Sequence, residues 1–295
     1  MTGIICLDKP DGMTSFSAVA AVRRITGEKK CGHSGTLDPM ATGVLPVFLG
    51  GATRFIELLP VHDKSYTASL RLGITTDTLD ITGKVLSQRK ASVSHGQIEE
   101  LIPEFTGKIL QVPPMYSAIS KNGVRLYELA RKGIEIEREA REITINSIII
   151  TDFDEAAEEY TLEVSCSQGT YIRSLISDIG ERLGCGAVMT ALRRTKSNGF
   201  SSSQALTPEQ LSLALSRGEL SCIQSVDAVL GAYPEVHVTQ PQAVRFSNGG
   251  ELDINRLSLS GDCPTYRVYS PSGDFLGIGQ ADAAVLRVKR VYNNI

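Results

Sequence analysis

From Tyr66 to Leu72 the chain alternates residue by residue: Tyr66, Ala68, Leu70 and Leu72 against polar Thr67, Ser69 and Arg71. A period of two marks a strand with one buried face, because successive strand side chains point to opposite sides. Further strand candidates are set off by turn residues. Gly3–Leu7 ends at Asp8-Lys9-Pro10-Asp11-Gly12, a segment around Lys84–Ser87 follows Thr82-Gly83, and Met115–Ile119 lies between Pro113-Pro114 and Asn122-Gly123. Ile143–Phe153 and Tyr160–Cys166 flank the acidic turn Asp154–Glu159, and Ala187–Arg194 ends in two arginines.

Helices are fewer. Thr14 or Ser15 caps one running to about Thr26, with Gly27 as its stop and Phe16, Val19, Ala20, Val22 and Ile25 as its apolar face. Ser94–Leu101 and Val124–Lys132 read as helical. Thr170 is placed to cap a helix Tyr171–Leu183, with Ile172, Leu175, Ile176 and Ile179 turned inward. Strands and helices do not alternate regularly, which argues against a parallel α/β sheet. The expectation is an α+β fold with a mixed, largely antiparallel central sheet and flanking helices. Beyond Ser216–Tyr233 the texture changes to short strands at Val236–Thr239, Thr265–Tyr269, Phe275–Ile278 and Val285–Val291. A boundary near residue 230 divides the chain into 1–230 and a small β-rich unit, 231–295.

The 295 residues are 42% hydrophobic and 21% charged, enough for one large domain or a large and a small one. A formal net charge of -3 gives no global sign of nucleic-acid binding, so any such binding rests on local patches such as Arg23, Arg24, Lys29 and Lys30. The six cysteines and four histidines are scattered without metal-ligand spacing. The amino terminus lacks a signal-peptide pattern, and no apolar run approaches the ~20 residues of a membrane span. These features lead us to expect a soluble cytoplasmic protein with reduced thiols and no membrane contact. Phosphate-loop, dinucleotide and nucleophile-elbow motifs are missing.

The chemistry concentrates in Gly32–Pro46, GHSGTLDPMATGVLP. Pro39 biases Asp38 toward extended backbone, and Gly32, Gly35 and Gly43 permit unusual turns or close approach. The stretch reads either as a structural turn or as a loop presenting a carboxylate. Arg173 lies in the first turn of its helix, where a cation opposes the positive end of the dipole. Such a placement calls for a partner, and a carboxylate is the obvious one.

Taken in order, Lys9–Ser15 (KPDGMTS), Gly32–Pro46, Lys64–Gly73 (KSYTASLRLG), Asp77–Gly83 (DTLDITG), Pro113–Ile119 (PPMYSAI) and Gly169–Leu175 (GTYIRSL) carry a family signature. The chain resembles the bacterial tRNA pseudouridine synthase B (TruB) family over residues 3 to 200, and the tail resembles that family's small PUA-type RNA-binding domain. Ser34 stands where Thr is usual and Met40 where Leu is frequent.

The resemblance implies the pseudouridine synthase fold and isomerisation of the uridine at position 55 in the T-loop of tRNA. The N-glycosidic bond is cut and the uracil is rejoined through C5, without metal or cofactor. It implies tRNA as the partner, with no guide RNA, and nothing in the sequence demands more than a monomer. Asp38 would be the catalytic carboxylate; attack on the sugar, attack on the base and removal of a ribose proton all remain open to it. Arg173 would keep it ionised and oriented. Tyr66 would stack on the target base, its hydroxyl being a candidate for proton transfer at C5. Tyr171 would contact the substrate, and Leu192 would line the uracil site. His33 would fill space left when the base flips out of its loop. Lys9 and Pro10 would brace the active-site loop.

Overall fold

The computed structural model describes residues 1–121, 123–259 and 263–292. Four strands frame the centre of the molecule: β1 (Gly3–Lys9), β2 (Cys31–His33), β3 (Thr42–Leu49) and β4 (Lys64–Leu72). Among the described residues they belong to a ten-stranded sheet. Its main path runs Ile223–Gln224, β1, β3, Ala187–Ser197, β4, Glu159–Cys166, Arg141–Asp154, Gly107–Gln111, with β2 paired to β3. Every pairing in it is antiparallel except β3 with Ala187–Ser197, where Arg193 faces Thr42 and Arg194 faces Gly43. The α+β, largely antiparallel architecture read from the sequence is therefore the one observed.

β1 and β3 are buried on both faces, so they read as continuous apolar runs rather than alternating ones. One face, with Ile5, Leu7, Leu45, Val47 and Leu49, packs on the helices Ser15–Thr26 and Pro208–Ser216, while Ile172–Arg182 covers the neighbouring strands Ala187–Ser197 and β4. Ile4, Cys6, Val44 and Phe48 on the other pack on the turn-rich segment Gly50–Leu58, on Val226 and Leu230, and on Ile278 of the second sheet. Among the described residues, that second sheet has five strands between Glu235 and Val291.

Several expectations need correcting, among them the helix at Val124–Lys132, which begins only at Leu126 because Val124–Arg125 pairs as a strand with Ser120–Lys121. In helix α1 (Ser15–Thr26), Thr14 caps and Gly27 closes the helix as expected, but Phe16 is 75% exposed and Ala20 is also exposed. Ser15 turns inward instead, to hydrogen-bond the backbone of Leu37, and this rotates the buried face onto Ser15, Ala18, Val19 and Val22. Met115–Ile119 is not a strand: it folds into a turn, and its Tyr116 carbonyl accepts from Arg173. Thr170 does not cap the following helix; its hydroxyl donates to Ser167, and Tyr171 holds the cap position. The expected turn at Asn122-Gly123 includes Asn122, which lies outside the described residues.

Gly43 is the tightest point of the parallel join. Its φ is +100°, and a Cβ there would run into the carbonyl of Arg194. Gly43→Ala should destabilise the protein by about 3 kcal/mol or more, from positive-φ strain plus overpacking. Urea unfolding would measure this, and a loss below about 1 kcal/mol would show that the two strands can part to admit a methyl group.

Candidate active site

The segment between β2 and β3 is held through its backbone. Lys9 is fully buried, and its Nζ donates to the carbonyls of Pro10 (2.8 Å), Met13 (2.6 Å) and Pro39 (3.0 Å). Burial pulls its pKa down to about 8. The Ser15 hydroxyl donates to Leu37 O (3.0 Å) and accepts from Leu37 N (2.8 Å). Arg194, also fully buried, donates from Nε to Val44 O (2.7 Å), from Nη1 to Thr36 O (3.4 Å) and from Nη2 to Gly35 O (3.1 Å). Asp38 O accepts from Ala41 N, closing a turn. The backbone of Asp38 thus makes the turn, while its carboxylate stays partly exposed.

That carboxylate meets Arg173. Arg173 Nε lies 2.9 Å from Asp38 Oδ2, and Arg173 Nη2 donates to Asp38 Oδ1 at 3.2 Å. The remaining guanidinium donors go to Thr78 O (3.0 Å) and Tyr116 O (2.8 Å), and Asp80 Oδ2 stands 3.7 Å from Nη1. The unfavourable dipole position of Arg173 is thereby answered by a carboxylate, as the sequence demanded. Asp38 keeps 33% of its side chain exposed, while those of Arg173 and Asp80 keep 5% and 7%. Asp80 is closed off further by the hydroxyls of Thr78 and Thr82. Only Asp38 of this trio faces the open. Burial raises its pKa above 3.8, and the positive charge of Arg173 opposes that rise.

Tyr66, buried in β4, has its hydroxyl toward Arg194, and burial pushes its pKa up to about 12. It keeps its proton at neutral pH. Tyr171 is half-buried, and its backbone is clamped by the buried Gln111, which accepts from Tyr171 N (2.8 Å) and donates to Tyr171 O (3.1 Å). Asp38 acts electrostatically on Lys9, Tyr66 and Tyr171, so these four share one neighbourhood. Leu192 is buried on the strand beside β4, opposite Ala68 and two residues before Arg194. His33 ends β2, and burial with the nearby Arg194 charge lowers its pKa. Pro10 is exposed and contributes its carbonyl to Lys9. Among the described residues, no group of three or more His, Cys, Asp or Glu side chains is placed to hold a metal ion.

A family model described as "TruB family pseudouridylate synthase (N terminal domain)" matches residues 23–172, and two C-terminal models of the same family match 173–230 and 234–292. The chain belongs to the TruB family. A protein of Clostridium perfringens (strain 13 / Type A) named tRNA pseudouridine synthase B is 44% identical over 295 residues, covering 99% of each chain. One of the same name from Azoarcus sp. (strain BH72) is 43% identical over 98% of this chain and 94% of its own. The crystal structure of a Cbf5-Nop10-Gar1 complex superposes with a TM-score of 0.75 at 27% identity, over 98% of this chain and 84% of that one.

Within this TruB-family chain, sequence reasoning missed four residues that hold the site: Ser15, Asp80, Gln111 and Arg194. Ser15, Asp80 and Arg194 lie in the stretches KPDGMTS and DTLDITG and in the double arginine, all of them conspicuous in the sequence. Their burial is what marks them, and burial emerges only with the fold. No membrane-crossing helix is present among the described residues: none is long and apolar enough.

Lys9→Met would leave the Pro10, Met13 and Pro39 carbonyls without their shared donor. Unfolding free energy should drop by on the order of 3 kcal/mol, read as a lower urea midpoint. An unchanged midpoint would mean that water replaces the ammonium at no cost.

Proposed function

We propose that this chain converts the uridine at position 55 of the tRNA T-loop to pseudouridine, and that Asp38 is the group acting on its N-glycosidic bond. The observation that carries this reading is the Asp38–Arg173 pair: an open carboxylate gripped on two edges by a buried guanidinium. Such a carboxylate is fixed in direction, and the Arg173 charge opposes the burial that raises its pKa, so that a group attacking carbon or taking a proton is held in place. Near-full-length similarity to proteins named tRNA pseudouridine synthase B supports the substrate class.

The remaining assignments follow the same reading. Tyr66 packs its ring against the target base and, with its proton held, serves as a surface and hydrogen-bond donor rather than as a phenolate base. Leu192 lines the uracil pocket, and Tyr171 contacts the substrate. His33, with its lowered pKa, is a neutral stacking group for the gap left by the flipped base. Lys9 and Pro10 brace the loop. Residues 1–230 form the catalytic unit and 231–295 a PUA-like RNA-binding unit. The protein acts as a monomer, on tRNA and without guide RNA; its greater similarity to proteins named tRNA pseudouridine synthase B than to the Cbf5 complex supports the tRNA substrate.

Asp38→Asn should cut pseudouridine formation on an unmodified T-arm stem-loop by on the order of a thousandfold or more, while RNA affinity stays within a few-fold. Near-normal turnover by this variant would end the assignment. The reaction requires ionised Asp38, and burial raises that pKa. Single-turnover rates should therefore fall on acidification with a midpoint above 3.8. A flat acidic limb would place the essential carboxylate elsewhere.

A further inference from the structure

Lys64 opens β4 two residues before Tyr66, so both side chains leave the strand on the same face. Its ammonium reaches the Gly35 turn: a Cβ on Gly35 would sit 3.2 Å from Lys64 Nζ and 3.5 Å from Arg194 Nη1. Two cations thus converge on one glycine. Arg194 spends its donors on the neutral carbonyls of Val44, Thr36 and Gly35, so no carboxylate cancels its charge. Among the described residues, Lys64 Nζ has neither a hydrogen-bond acceptor nor a salt-bridge partner, and burial, with Arg194 adding to it, pulls its pKa down to about 8. Ser34, next in this turn, is 7% exposed, and its hydroxyl is buried without a partner. Asp38, the acid of the same loop, is already engaged by Arg173.

We propose that Lys64 and the Gly35 turn form a subsite for one phosphodiester of the substrate RNA, beside the nucleotide that enters over Tyr66. An anion there would neutralise the converging charges of Lys64 and Arg194, and Gly35 keeps the approach clear of a side chain. Lys64 is in this account a positioning residue: its ammonium fixes the backbone so that the ribose of the target meets Asp38. The inference rests on the RNA-modifying function proposed for the chain, and its test separates the two.

The experiment measures affinity of the full chain for a T-arm stem-loop as a function of salt, for wild type, Lys64→Met and Lys64→Arg. It is repeated with RNAs carrying a neutral methylphosphonate at the phosphates flanking the target uridine. Lys64→Met should bind about tenfold more weakly, with a log–log salt slope shallower by about 1, the loss of one phosphate contact. Lys64→Arg should restore most of the affinity. One methylphosphonate position should weaken wild type and leave Lys64→Met unaffected. An unchanged salt slope in Lys64→Met, or equal methylphosphonate penalties in both proteins, would overturn the proposal. The wild-type comparison of neutral and charged RNAs stands alone should Lys64→Met fail to fold: no penalty at either flanking phosphate overturns it too. If wild type binds the RNA with this pattern but makes no pseudouridine, the proposed function fails and the phosphate subsite survives.

Discussion

The buried guanidinium of Arg194 is the interaction on which the rest of the site depends. Burying a charge without a carboxylate partner is costly, and the cost is tolerated only where oriented dipoles replace water. Here the carbonyls of Gly35, Thr36 and Val44 do so, all belonging to the chain that leads into β3 or to β3 itself. Arg194 comes from the strand that joins β3 by the one parallel pairing of the large sheet and joins β4 on its other side. One side chain therefore ties the glycine turn, the parallel join and the Tyr66 hydroxyl together. Gly43 makes that closeness possible, since any side chain there would collide with the Arg194 carbonyl.

With the backbone of residues 35–39 fixed by Arg194, Ser15 and Lys9, Asp38 has little freedom except in its own side chain. Arg173 removes most of that. A group held before its reactant arrives need not be reorganised during the reaction, the general advantage of preorganised sites. Asp80 matters to the charge balance. It places a second carboxylate near the same guanidinium, and its negative charge works with burial to raise the Asp38 pKa against the pull of Arg173. The open member of the trio thus feels opposing pulls on its proton, whereas its partners are sealed inside.

Much of this was legible in the sequence because the signals were local. The alternation in Tyr66–Leu72, the Thr14 cap with the Gly27 stop, and the dipole argument at Arg173 each concern a few neighbouring residues, and each holds in three dimensions. The failures arise where a distant contact outweighs a local pattern. Phe16 fits an apolar helix face, yet Ser15 takes the inward position because Leu37, far along the chain, needs a polar partner. Met115–Ile119 has strand composition but is drawn into wrapping Arg173. The helix Gln240–Ser247 sits where the sequence reading has only short strands, although Thr239 and Gln242 form a capping box that the spacing announces. Lys9 is read in the sequence as a brace for the loop, but only the fold reveals it and Arg194 as fully buried donors.

The same logic reaches the C-terminal sheet. Ile278 packs with Phe48 and Phe55 from beneath β3, and Phe55, Phe275 and Tyr292 form an aromatic group with centroid separations of 5.3 to 6.4 Å. Arg267 adds a polar clamp, pairing with Asp227 (3.0 Å) and Glu235 (2.9 Å) and donating to Tyr233 O. A charged pair at such a junction contributes little by itself, but it is selective for one arrangement of its partners. Apolar burial gives the adhesion and the Arg267 clamp gives the angle. The second sheet is consequently docked on the reverse face of the strands whose other face supports α1 and, through Ser15, the Asp38 loop, so a ligand spanning both sheets meets a surface whose geometry is set by the same core that sets the site.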